Sequence, residues 1–191
     1  MNKRTVALTD QQYVDIITTI NNGFTHDNIE HSPNERIATA LSLEANLGVR
    51  ISDILKLRFC DIIKDGDRFR LNIAEQKTDK ARTFTVPTEI REFIDQYRIK
   101  NRLSEQQRLF AISERQIQKH LAAVCEYLGF ENISTHSFRK YFATEIYIKN
   151  DYNIELVRQL LQHSSTAVTQ RYIGIQQKQL EVALQNHIKL L

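Results

Sequence analysis

Only two cysteines occur in the 191 residues, Cys60 and Cys125. They stand far apart, neither in a CxxC pair, so neither a disulfide framework nor a structural zinc site is expected and both are expected as reduced core residues. Glycine (5) and proline (2) are scarce and tryptophan is absent. With no low-complexity linker and no internal repeat, the default is one domain over residues 1–191. No apolar run approaches the roughly 20 residues of a membrane-spanning helix. The basic start Asn2-Lys3-Arg4 yields too soon to the polar Thr9-Asp10-Gln11-Gln12 for a secretory signal, so a cytoplasmic protein away from any membrane is expected. GxSxG, HExxH, Walker-type and GxGxxG patterns are all missing, which leaves hydrolases and nucleotide-binding enzymes without support. A large excess of one charge is missing too: 26 Lys and Arg against 23 Asp and Glu leave +3, so the position of the basic residues matters more than their sum.

What remains is mostly helical periodicity. Thr9 can cap a first helix with Tyr13, Ile17, Ile20 and Phe24 on one face, and Pro33 can open a second carrying Ile37, Leu41 and Leu47 up to Gly48. Ser52 is placed to cap a short helix containing Asp53, Ile54, Leu55 and Leu57, leaving Arg50 just before an anion-friendly helix start. Between Asp61 and Pro87 the period becomes two, with Phe69, Leu71 and Ile73, then Phe84 and Val86, alternating with polar residues. Turns at Asp65-Gly66-Asp67 and Lys77-Thr78-Asp79-Lys80 make this a three-stranded antiparallel sheet with a basic hairpin tip. Further apolar stripes run through Ile117 to Leu128, Phe138 to Ile146, Ile154 to Leu161 and Leu180 to Leu191. The predicted fold class is mainly α with a small three-stranded antiparallel β-sheet.

Chemistry concentrates in short segments. In Thr135-His136-Ser137-Phe138-Arg139, Ser134 or Thr135 can cap a helix that sets His136 and Arg139 on one face. Backbone N–H groups, imidazole and guanidinium then converge as a phosphate oxygen would require. A bare H-x-x-R pair is common, and alone it is better explained as a surface histidine and a solvated arginine. Upstream, Gly48-Val49-Arg50-Ile51-Ser52-Asp53 adds a second arginine, with Asp53 one turn on to orient it or a neighbouring base. Downstream, Leu161-Gln162-His163-Ser164 and Gln170-Arg171-Tyr172 set a histidine ahead of a tyrosine across a polar turn and a short helix.

Taken in order, GVRISDILKLR, QKTDKARTFTVP, THSFRKYFAT and LLQHSSTAVTQRYI resemble the four signature blocks of tyrosine recombinases of the phage-integrase family, and ALTDQQYVDII resembles the start of that family's catalytic domain. The resemblance spans nearly the whole chain. It implies that Arg50 and Arg139 grip the scissile phosphate, that Lys77 is the hairpin lysine, that His136 and His163 fill the two remaining active-site positions, that Tyr172 is the nucleophile and that Asp53 supports them. Lys80, Arg82, Lys140 and Arg171 are expected to contact DNA. Gln162 departs from the pattern, standing before His163 where the family often has glycine, and Asp53 stands where glutamate is also frequent.

The chemistry suits these residues. Two guanidiniums can bind the non-bridging oxygens of a phosphodiester and the charge that builds in the transition state. A phenol with an ordinary pKa near 10 needs cationic neighbours or a base, and His136 is the expected base. Lys77, with three donors on a flexible stem, suits the general acid for the leaving 5′ oxygen. A covalent 3′-phosphotyrosine conserves the bond energy, so no nucleotide cofactor is expected, and cationic side chains make a metal unnecessary.

The implied partner is double-stranded DNA, bound by a homotetramer of a chain that is monomeric alone, with room for accessory DNA-bending proteins. The N-terminal core-binding domain is expected to be absent, so that the chain is either a piece of a longer integrase or a minimal recombinase.

Less specific explanations compete. Lys80 and Arg82 share the turn with Lys77, and a solvated basic hairpin would account for all three, although Lys77 is preferred. His26, His31, His120 and His187 have no comparable setting. The stripe from Leu180 to Leu191 fits core packing and docking on a neighbouring subunit equally. A catalytically inactive DNA-binding regulator that keeps the fold is the alternative function; the full residue set counts against it. A DNA-relaxing topoisomerase would need more chain.

Overall fold

The computed structural model describes residues 5–74, 81–173, 185 and 187. The chain divides into two compact units, residues 1–142 and 143–191. The first opens with α1 (Asp10–Asn22), entered through the reciprocal cap that its sequence suggests: Thr9 Oγ1 accepts from the Gln12 N–H at 3.2 Å and Gln12 Oε1 accepts from the Thr9 N–H at 3.0 Å. Ile16 and Ile20 are fully buried. Gly23, at φ 74°, ends the helix, so Phe24 does not share its face as expected; it begins a hairpin of β1 (Phe24–His26) and β2 (Ile29–His31).

Helix α2 (Glu35–Leu47) starts two residues later than Pro33 suggests, because Asn34 supplies the cap, its side chain accepting from the Ile37 N–H at 3.2 Å. Most of α2 is buried, from Ile37 through Leu41 to Leu47. Gly48 closes it in the left-handed region at φ 59°, and α3 (Ile51–Ile54) follows at once. Arg50 itself occupies the capping position of α3 and Ser52 lies inside the helix, a correction to the expected cap. A single 3₁₀ turn (Phe59–Asp61) carries Cys60, which is exposed; of the two cysteines only Cys125 is a core residue. The burial that hides the Cys125 thiol also pushes its pKa up to about 11.

The expected three-stranded sheet is present as β3 (Ile62–Asp65), β4 (Arg68–Ala74) and β5 (Ala81–Val86), antiparallel in the order β3-β4-β5. Gly66, at φ 60°, serves the tight turn that pairs Asp65 with Arg68. Helix α4 (Thr88–Lys100) lays Arg91 over the rings of Phe59 and Phe69, and Arg98 over Phe59. Helix α5 (Glu114–Tyr127) begins on a Ser113–Gln116 capping box and buries Ile117, Leu121 and Val124. Helix α6 (Thr135–Lys149) supplies the fully buried Phe138.

The second unit contains α7 (Ile154–Leu161), capped by Asn153, whose side chain accepts from the Leu156 N–H at 3.0 Å, and α8 (Thr166–Ile173), where Ser165 Oγ accepts from the Val168 N–H at 3.3 Å. Val157, Leu161, Thr169 and Ile173 are its buried residues on these helices. Leu180, Leu184, Ile188 and Leu191, the expected closing stripe, lie outside the described residues.

Candidate active site

Each unit carries a set of the residues singled out above. In the first, Arg139 on α6 is almost completely buried, an unusual fate for an arginine. Its Nη1 donates to the Gly48 carbonyl at 2.7 Å, so α6 holds the end of α2 directly. Arg50 is half-buried, with φ −65° and ψ 146°, and its own carbonyl receives the N–H groups of Asp53 and Ile54, both at 2.9 Å. Asp53 is buried one turn beyond it. The start of α3 is not open to an anion at its first N–H, since Ile51 donates to Glu44 Oε1 at 3.1 Å. The Arg50 side chain is the cationic group that this segment offers an anion.

His136 is exposed at the start of α6, flanked by Thr135 and Ser137, both buried. The helix entry is tied off locally: the Ser137 N–H reaches the Ser134 carbonyl at 2.9 Å and the Ser134 N–H reaches Ser137 Oγ at 3.1 Å. Lys140, expected to contact DNA, donates to the Thr5 carbonyl at 2.6 Å, which gives it a structural partner as well. Lys77 and Lys80 lie outside the described residues; Arg82 is paired with Ile73 in the β4–β5 ladder.

In the second unit His163 and Tyr172 are brought together. Their rings meet at 77° with centroids 5.1 Å apart, and both are half-buried. His163 is oriented from behind. Its Nδ1 lies 3.1 Å from Thr169 Oγ1, and that hydroxyl donates to the Ser165 carbonyl at 3.3 Å. The contact ties the imidazole to α8 through Nδ1. The backbone of His163 is clamped as well: its N–H donates to the Arg158 carbonyl at 3.0 Å and its carbonyl accepts from Arg158 Nη1 at 3.1 Å. Arg158 is steadied in turn by Glu155, whose carboxyl its hydrogen bonds hold down at about 2. Arg171 is exposed on α8.

Three supporting residues escaped the sequence analysis. Thr169 lies within the fourth block and Arg158 two residues before it, but neither stands in a pattern that marks it as functional. Glu44 sits among the apolar residues of α2, fully buried, where a lone glutamate was the only sign. Burial pushes its carboxyl well above the usual range, opposed by the Ile51 N–H and the Arg139 charge and reinforced by Glu114.

The phage integrase family model matches residues 7–179. The probable integrase/recombinase YoeC of Bacillus subtilis (strain 168) is 34% identical over 140 residues, covering 68% of this chain and 72% of that protein. The tyrosine recombinase XerC of Thermodesulfovibrio yellowstonii is 28% identical over 162 residues, 76% of this chain and 52% of its own length. Among solved structures, the XerH site-specific recombinase in a post-cleavage complex with palindromic difH substrate has a TM-score of 0.73 at 21% identity, over 96% of this chain and 53% of that one. The catalytic domain of bacteriophage HP1 integrase has a TM-score of 0.63 at 17% identity, over 96% of both chains. This chain belongs to the phage integrase family. It spans about half the length of the XerC and XerH proteins.

Proposed function

As this is a member of the phage integrase family, we propose that it carries the catalytic machinery of a site-specific tyrosine recombinase acting on double-stranded DNA. Arg50 and Arg139 bind the non-bridging oxygens of one scissile phosphate and the charge that accumulates there. The Tyr172 phenol loses its proton to His136 and attacks phosphorus; the bond to the 5′ oxygen breaks and Lys77 returns a proton to that oxygen. The product is a 3′-phosphotyrosine and a free 5′ hydroxyl. Attack by a 5′ hydroxyl from another strand reverses the step and releases Tyr172, with no net bond energy lost and no nucleotide consumed. His163 orients the phenol, Asp53 steadies the Arg50 segment, and Lys80, Arg82, Lys140 and Arg171 add phosphate contacts. A homotetramer on DNA fits exchange between two duplexes, and an additional DNA-binding domain would complete the grip.

The observation that carries this proposal is the pairing of Tyr172 with a histidine locked from behind. An ordinary half-buried tyrosine needs no such neighbour, whereas a nucleophile that must meet phosphorus in line gains from a fixed ring. The test is incubation with a pool of nicked duplexes from which a short fragment diffuses away after cleavage. Detergent-resistant protein–DNA adducts are expected with the wild type and none with Tyr172→Phe; adducts of equal yield in both would overturn the assignment, and a wild type that forms none with any substrate would favour a regulator that only binds DNA.

A further inference from the structure

The loop between α2 and α3 is held at both ends by groups from elsewhere in its unit. At one end the Gly48 carbonyl accepts from Arg139 at 2.7 Å, while the Gly48 N–H closes α2 on the Glu44 carbonyl at 3.1 Å. At the other, the Ile51 N–H is taken by Glu44 Oε1 at 3.1 Å. Arg50 stands between these pins, at a capping position with no side-chain cap of its own. Glu44 therefore touches the segment of one arginine and carries an electrostatic interaction with the other. It is fully buried, and its Oε2 has no hydrogen-bond partner among the described residues. Burying a carboxyl this way is costly, and an apolar residue in α2 would pack without that cost. The arrangement persists because the Ile51 N–H would otherwise be an orphaned helix-start donor and the loop bearing Arg50 would be free to shift.

We propose that Glu44 is a positioning residue for phosphoryl transfer, whose Oε1 fixes the Gly48–Ile51 loop so that Arg50 and Arg139 are presented as a preset pair. This rests on the assignment of those arginines to the scissile phosphate. The role needs an acceptor at one distance and no charge. Gln keeps that acceptor; Asp keeps the carboxyl but is one methylene too short to reach Ile51; Leu keeps the bulk and has neither.

The test is single-turnover cleavage of the nicked duplexes, with DNA affinity and thermal unfolding measured on the same preparations. Glu44→Gln is expected to cleave within about three-fold of wild type, and Glu44→Asp and Glu44→Leu about 10- to 100-fold slower at nearly unchanged affinity, as misplacement of a catalytic group implies. In an Arg50→Lys background the Glu44→Asp loss is expected to shrink to about two-fold, since the two changes damage one element. If Glu44→Leu does not fold, the Gln and Asp pair decides. Cleavage by Glu44→Asp at the wild-type rate, a Gln variant as slow as the Asp one, or losses that multiply with Arg50→Lys would each overturn the positioning role while leaving the phosphate assignment intact. A wild type that never forms Tyr172-dependent adducts would remove both.

Discussion

Glu44 makes a prediction at the scale of single residues that needs no DNA. Its folded-state pKa lies above the unfolded value because burial outweighs the Ile51 hydrogen bond and the Arg139 charge, with Glu114 pushing the same way as burial. The folded state therefore holds this proton more tightly. The resulting stability is fully present below the unfolded carboxyl range and is lost as pH rises through the folded pKa. Glu44→Gln, always neutral, is expected to be less sensitive than wild type to a rise in pH over that window, measured by urea unfolding at a series of pH values; parallel curves would contradict it. Thr169 allows a second test. Thr169→Val keeps the buried volume but removes the oxygen that holds His163 Nδ1, so cleavage is expected to fall about ten-fold with little change in DNA affinity, in line with losing an orienting partner. Unchanged cleavage would leave His163 without the restraint assigned to it.

At the scale of elements, the ends of helices explain both what could be read in advance and what could not. The capping residue Thr9 announces its helix because a short oxygen-bearing side chain beside an apolar stripe has few other uses. The β1–β2 hairpin was hidden: each strand has three residues, too few to show a period, and its only cue was Asp27-Asn28, which adopt φ 48° and 60° as a tight hairpin turn demands. The sequence reading also placed no helix over Thr88–Lys100, where Pro87 stands at the cap position without a side chain to mark it.

Gln162, the departure from the family's frequent glycine, falls at the C-cap of α7 with φ 54° and ψ 40°. A side chain is strained there, so Gln162→Gly is expected to stabilise the chain by about 1 kcal/mol in denaturant unfolding; a loss of stability would mean that the glutamine side chain makes a compensating contact. Gly48 is the converse. At φ 59° it has no room for a Cβ, which would fall on the Phe142 ring, and Gly48→Ala is expected to cost about 2–4 kcal/mol. A variant as stable as wild type would show that the ring can give way.

At the scale of the whole molecule, order along the chain was the most legible feature. Four short segments in the right sequence pointed to the family that the model match over residues 7–179 then showed. The mainly helical architecture with its small sheet was legible for the same reason, since periodicity needs only the local chain. Division into two compact units was not legible: no glycine- or proline-rich linker marks the boundary, which falls inside α6. Nor were Glu44, Thr169 and Arg158: their partners lie within seven residues, but across a helix end or turn whose path no periodicity fixes.

Binding should reflect the scale of the whole surface. With affinity expected mainly from phosphate contacts, DNA binding is predicted to fall steeply with salt, by about 10³-fold or more between 50 and 200 mM if six phosphates are engaged. Filter binding across that range gives the slope directly, and salt-insensitive binding would contradict a phosphate-dominated interface.

The chemistry itself is tested most directly by identifying the amino acid joined to DNA. Adducts trapped on nicked duplexes would be digested with protease and nuclease and the remaining nucleotide-bearing peptide sequenced by mass spectrometry. The phosphotyrosine mechanism predicts one peptide, spanning Gln170-Arg171-Tyr172-Ile173, with a nucleotide 3′-phosphate on the Tyr172 oxygen. A nucleotide on another tyrosine, on a serine, or attached through its 5′-phosphate would contradict it.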